Sequence, residues 1–246
     1  MLPILEKVCR KTLMLQEYTL SPGHCRGLAQ ACKYFDHHFI NRVFLNNCGV
    51  DDEEFASILE GVERLRDFKS IVYKANIFGE KSLLSLRPLL LKRLPNHLEE
   101  LNLIDCRIHS SLLNRLVDLL NESGTQMRKL GLVNTNHSEA SFAKLLTFVE
   151  TSEYLQELDV SWSKLSIFQW RKFLNIIKNN RQLISLNISY NKILEPQNDP
   201  TNSVPGSDDS WMLSAFNKEI LNCLKNFIKY NLHLVSLNLE NTGMNR

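Results

Sequence analysis

Apolar residues along this chain follow neither the 3.6-residue period of an amphipathic helix nor the simple alternation of a half-buried strand. In LQELDVSWSKL, from Leu155, the apolar positions Leu155, Leu158, Val160 and Leu165 stand at places one, four, six and eleven, and Trp162 stands on none of them. The spacing returns in INRVFLNNCGV from Ile40, FKSIVYKANIF from Phe68, LEELNLIDCRI from Leu98 and MRKLGLVNTNH from Met127. It returns again in LISLNISYNKI from Leu183, in LVSLNLENTGM from Leu234, and in degenerate form in RKTLMLQEYTL from Arg10. Successive starts lie 30, 28, 30, 29, 28, 28 and 51 residues apart. Of the 32 apolar slots in these eight copies, 30 are apolar, Arg10 and His137 being the exceptions, where a 43% background would fill about 14.

Within each copy, slots four and six alternate as in a strand and point inward together, while the residue between them, Asp159 for example, faces the other way. Slot eleven belongs to the turn that closes the same core, and a polar ninth residue can satisfy backbone groups beneath that turn. A helical stretch follows each strand. The acidic stretch Asp51-Asp52-Glu53-Glu54, which offers a cap and a reciprocal acid, the capping-box pattern of Ser166 with Gln169, and Ser138 are helix-start signals before FASILEGVERL, WRKFLNIIK and EASFAKLLTFV. Further helices are expected over 22–35, 80–93, 110–121 and 214–230. Strands stack about 4.8 Å apart whereas helices are roughly 10 Å wide, so one of each per repeat forces an arc with strands inside.

The template L-x-x-L-x-L-x-x-N/C-x-L resembles the leucine-rich repeat family, in its ribonuclease-inhibitor-like subclass. The resemblance implies a single α/β solenoid over 1–246, about eight repeats long, with a parallel sheet on the concave face and helices on the convex face. Slot nine, Asn or Cys in the family, holds Cys48, Asn76, Cys106 and Asn191, but Tyr18, Thr135, Ser163 and Thr242 elsewhere. Relatives of this subclass include ribonuclease inhibitors, activators of small GTPases and regulators of actin-filament capping.

Regularity breaks twice. The 51-residue gap contains EPQNDPTNSVPGSDDSWMLS, 195–214, whose Pro, Asn, Asp and Ser suit a surface loop inserted in the seventh repeat. The last strand motif is followed by no helix. The chain is therefore expected to be truncated there, to be covered by an unusual cap, or to self-associate through the uncapped C-terminal repeat.

Composition narrows the function classes. A formal charge of +2 offers no broad field for nucleic acid, and no apolar run is long enough to span a membrane. The start, MLPILEKVCRKT, lacks the basic flank and sustained apolar core of a signal peptide. Six dispersed cysteines without a CxxC pair read as reduced thiols of a cytoplasmic protein. No phosphate-binding glycine loop, GxSxG or HExxH occurs. His37–His38 reads as a helix-end pair, and Cys25 and Cys32 as small core residues rather than zinc ligands with His24. No catalytic, cofactor or metal site is expected.

The concave positions, slots three, five, seven and eight, carry the candidate chemistry. Met14, Phe44 and Val72 form an apolar stripe, and Ile104 and Val133 continue it toward Trp162 and Tyr190. Aromatic side chains exposed among polar neighbours suit the centre of a protein interface. Arg42, Lys74, Glu100, Lys129, Glu157 and Asp159 would add charge selectivity. The partner-binding set is thus Phe44, Val72, Lys74, Ile104, Val133, Asp159, Trp162 and Tyr190. The expected function is a non-catalytic scaffold holding a protein partner; the alternative is a regulator of an enzyme or switch protein, such as a small GTPase or a capping factor.

Overall fold

The computed structural model describes residues 8–9, 11–32, 34, 40–92, 97–123, 126–178, 180–191 and 210–242. In chain order the elements are β1 (Val8–Cys9), β2 (Thr12–Gln16), α1 (Pro22–Ala31), β3 (Arg42–Asn46), α2 (Asp52–Val62), β4 (Ser70–Lys74), α3 (Glu80–Leu91) and β5 (Glu100–Ile104). They continue as α4 (Ser110–Ser123), β6 (Lys129–Val133), α5 (Glu139–Thr151), β7 (Glu157–Asp159), α6 (Ile167–Ile177), β8 (Ser185–Asn187), α7 (Ser210–Tyr230) and β9 (Ser236–Asn238). The segment 195–209, the His37–His38 pair, and the side chains of Cys9 and Trp211 fall outside what is described.

The strands form one sheet in sequence order; β2–β9 run parallel, and β1 pairs antiparallel with β2. Each helix packs on the next. The result is an α/β leucine-rich-repeat solenoid, with the parallel sheet on its concave face and the helices on its convex face.

Inward alternation builds the core. From β2 to the repeat of β8, the residues in slots four and six are at most 2% exposed. Burial of each such side chain stabilises the fold by about 1.5–3 kcal/mol. Tyr73 is the polar-tipped member: its ring stacks on Phe55, and its hydroxyl donates to the carbonyls of Val50 and Ile77 at 3.1 and 2.9 Å.

At Thr135, Ser163 and Thr242, where slot nine departs from Asn or Cys, a hydroxyl still makes the hydrogen bond. Cys48, Cys106, Ser163 and Asn191 each donate to the slot-six carbonyl of the preceding repeat, on Leu15, Tyr73, Leu132 and Val160. Asn76 accepts the N–H groups of Cys48 and Val50. Thr135 and Thr242 turn their hydroxyls onto their own repeats, at Leu132 and Leu239. A hydroxyl therefore replaces the amide or thiol wherever one short donor is enough. His137, in slot eleven of its repeat, is buried against Phe142 and within 3.0 Å of the Thr135 hydroxyl.

Helix starts follow the expected signals. Asp51 and Glu54 cap α2 reciprocally, Ser166 and Gln169 do the same for α6, and Ser138 caps α5. His24 belongs to a further capping box: Ser21 accepts its N–H and donates its own N–H to His24 Nδ1 at 3.3 Å. Cys25 and Cys32 face the core as free thiols, pushed by burial up to about 12 and about 11. Among the described residues, no helix is long and apolar enough to cross a membrane.

Candidate protein-binding surface

In-register pairing lays equivalent slots side by side across the hollow. Slot five forms the row Met14, Phe44, Val72, Asn102, Gly131, Asp159, Asn187, Asn238. Slot three forms a parallel row through Arg42, Ser70, Glu100, Lys129, Glu157 and Ser185. At Gly131 a Cβ would overlap the Asn102 amide, so glycine lets that side chain lie across the strand.

The C-terminal strands shorten for a local reason. Asp159, Asn187 and Asn238 each turn a side-chain oxygen onto the N–H two residues ahead, at Ser161, Ser189 and Glu240, 2.9, 3.2 and 3.0 Å away. Such local turns compete with the sheet ladder, and β7, β8 and β9 have three residues each where β2–β6 have five. Strand stacking nonetheless persists, with Trp162 N–H reaching Ser189 O at 3.1 Å and Tyr190 N–H reaching Glu240 O at 2.8 Å.

Slot eight carries the most specific geometry. Glu17, Asn47, Ala75, Asp105, Asn134, Trp162, Tyr190 and Asn241 all have φ between +50° and +60°. The chain turns left-handed there before slot nine dives beneath the turn. Asn and Asp tolerate this conformation, but a bulky residue in it costs about 1–2 kcal/mol. Trp162 and Tyr190 are nevertheless placed there, at φ 60° and 57°. Their rings stack with centroids 4.2 Å apart and 9° between planes, and Trp162 stays 51% exposed. The Tyr190 hydroxyl donates to Glu240 Oε1 at 2.7 Å, and that hydrogen bond raises its pKa. Residues held in sparsely populated backbone conformations cluster at ligand-contacting sites.

The other expected residues do not join this pair. Phe44 lies four strands from the Trp162 repeat, about 19 Å along the sheet at the usual strand spacing. Phe44 is half-buried beside Met14, which is 52% exposed. Val72 is only 4% and Val133 9% exposed, so both form floor beneath their neighbours rather than free surface. Ile104, in register with Val133 and with Lys74, is half-buried between them.

Most of the expected selectivity charges are engaged with one another. Arg42 pairs with Glu100 at 3.2 Å, and Glu100 also accepts from Ser70 and Asn102. Lys129 pairs with Glu157 at 2.7 Å. Asp159 accepts from Ser161 and from Asn187 Nδ2 at 2.9 Å. Lys74 has no ion-pair partner among the described residues. A trough over β5–β9 is lined by Asn102, Lys129, Glu157, Asp159, Asn187 and Asn238, among others.

Apolar spacing alone did not mark Asp105, Asn134 and Glu240 beside the aromatic pair. The signal was the run of Asn and Asp in slot eight, at 47, 105, 134 and 241, which points to a left-handed turn.

No family model matches the sequence, and no curated relative matches it. Among solved structures the chain is similar to one described as leiomodin-1 actin-binding site 2, with 19% identity and a TM-score of 0.48, covering 59% of this chain and 85% of that one. It is also similar to the tropomodulin C-terminal domain of Caenorhabditis elegans, with 15% identity and a TM-score of 0.42, covering 83% and 93%. Likeness at this level assigns neither a site nor a partner.

Proposed function

We propose that this chain is a non-catalytic protein-recognition module of the cytoplasm, built on ribonuclease-inhibitor-like repeats. It grips its protein partner on the concave face, around Trp162 and Tyr190. One observation carries this reading: Trp162, 51% exposed, is stacked on a half-buried Tyr190, and both stand on a backbone conformation that disfavours large side chains. The backbone of slot eight does not call for aromatics, since Asn or Asp fits the turn at lower cost in four of the other six repeats. Large aromatic anchors ringed by polar groups are what interface centres use. Free, buried thiols are consistent with a reducing compartment.

The test is affinity capture from native cells with quantitative mass spectrometry, comparing the wild-type chain with Trp162→Asn/Tyr190→Asn and with Phe44→Ala. Proteins retained by the wild type should be lost from the double variant and kept by Phe44→Ala. An identical set on all three would eliminate the aromatic pair as the binding centre.

A further inference from the structure

The hollow is electrically divided. Its concave positions along β5–β9 and their following turns carry Glu100, Asp105, Glu157, Asp159 and Glu240 against Lys129 alone. Those along β2–β4 carry Arg42 and Lys74 against Glu17. The chain's small overall charge hides this separation. Cations of the hollow neutralise only two of the five carboxylates, Glu100 through Arg42 and Glu157 through Lys129. Asp105, Asp159 and Glu240 are held instead by neutral donors: the Asn134 amide at 3.0 Å, Ser161 with Asn187, and the Tyr190 hydroxyl. Hydrogen bonds from neutral groups fix those carboxylates in place, and among the described residues no cation pairs with them. Arg107, Lys164 and, outside the described residues, Lys192 stand two places past slot eight in the sequence.

The aromatic pair stands inside this negative half. Tyr190 covers one face of the Trp162 indole. On the other side the neighbouring slot-eight residue is Asn134, whose amide is turned to Asp105. The indole, 51% exposed, therefore keeps solvent-facing surface, with the Asp105 carboxylate one repeat beyond Asn134. An aromatic face beside negative charge favours a planar cation, and guanidinium stacks on indole better than ammonium does.

We propose that the β5–β9 half of the hollow receives a basic segment of a protein partner, with an arginine of that segment stacked on the open face of Trp162. This rests on the recognition function proposed above and adds the chemistry of the occupant. The surplus of carboxylates on this half of the hollow sets the polarity of the segment, and Trp162 sets the preference for arginine over lysine.

Hexa-arginine and hexa-lysine peptides serve as probes, titrated into protein carrying ¹⁵N-labelled tryptophan. Hexa-arginine should shift the Trp162 indole signal saturably and bind about fivefold more tightly than hexa-lysine. Trp162→Asn should remove that preference. Asp105→Asn/Glu240→Gln should weaken both peptides, and rising salt should do the same. No shift of the Trp162 signal, or equal affinities for the two peptides, overturns the proposal. So does a captured partner that needs Trp162 but ignores Asp105→Asn/Glu240→Gln. If that partner is lost from Trp162→Asn/Tyr190→Asn while hexa-arginine fails to bind, the occupant is not basic and the recognition function stands. If neither partner nor peptide depends on the pair, both readings fall.

Discussion

The carboxylate of Asp52, the first residue of α2, accepts the backbone N–H of Gly79, the residue that caps α3, at 2.9 Å. It also takes the N–H groups of Lys81 and Ser82 at 3.0 and 2.8 Å. Gly79 has no side chain to cap its own helix, so the preceding repeat supplies the cap. Burial pushes the Asp52 carboxyl up, but the donors on Ser82, Lys81 and Gly79 outweigh that effect and hold it below its usual value.

Asp52→Ala should cost about 2 kcal/mol, the upper range for a lost helix cap. Gly79→Ala should destabilise too, because its Cβ would overlap the Asp52 carboxylate. With the carboxylate gone the new methyl has room, so the double variant should be less destabilised than the two single losses together. Urea unfolding of all three variants checks this. Additivity to within about 0.5 kcal/mol would show that the two residues do not interact.

Slot nine offers a graded comparison. Asn191 is fully buried, donates to Val160, Ile188 and Ser189, and accepts the N–H of Leu165. Asn191→Ala strands three carbonyls and an N–H, and should cost about 3 kcal/mol. Ser163→Ala removes one hydroxyl shared by Leu132 and Ser161 carbonyls and should cost about 1 kcal/mol. Equal losses in chemical denaturation would contradict the hydrogen-bond account.

Much of this architecture was legible in the sequence. Four apolar slots repeated at a near-constant interval located the strands, because a strand buried on one face must alternate. Caps at Asp51, Ser138 and Ser166 were readable because the residue types that satisfy helix N–H groups are few. The binding face was legible only as a set of outward positions. Burial at Val72 and Val133, the Arg42–Glu100 and Lys129–Glu157 pairs, and the stacking of Trp162 on Tyr190 depend on which side chains meet across strands. Repeat spacing carries the register, not the side-chain conformations. The Asp52–Gly79 cap escaped for the same reason, since its partners are 27 residues apart.

Acid should expose the one non-apolar residue of slot eleven among the described repeats. Burial lowers the His137 pKa from 6.5 to about 4. The folded state therefore holds it neutral, and protons bind the unfolded chain preferentially. Its share of stability is full above pH 6.5, falls as pH drops between 6.5 and about 4, and is gone below that. Between pH 7.5 and pH 5 the wild type should lose roughly 2 kcal/mol through this residue. His137→Leu should flatten the profile by that amount. His97, lowered by burial and by Lys69, contributes in the same direction and should remain in the variant. Parallel pH profiles for wild type and His137→Leu would refute the assignment.

Slot eight allows strain and function to be separated. Ala75 is exposed at φ 53°, and Ala75→Asn should stabilise the chain by about 0.5–1 kcal/mol, because Asn enters the left-handed region at lower cost. Trp162→Asn gains the same relief but loses the stack on Tyr190, a contact of about 0.5–1.5 kcal/mol. The two terms oppose, so its stability should stay within about 1 kcal/mol of wild type. Thermal and urea unfolding measure both variants, and capture of the partner measures the second function of the same position. A near-neutral fold with abolished capture would mean that Trp162 is held in its turn for recognition. A loss well beyond 2 kcal/mol would mean that the ring serves the fold, and that its exposure is incidental.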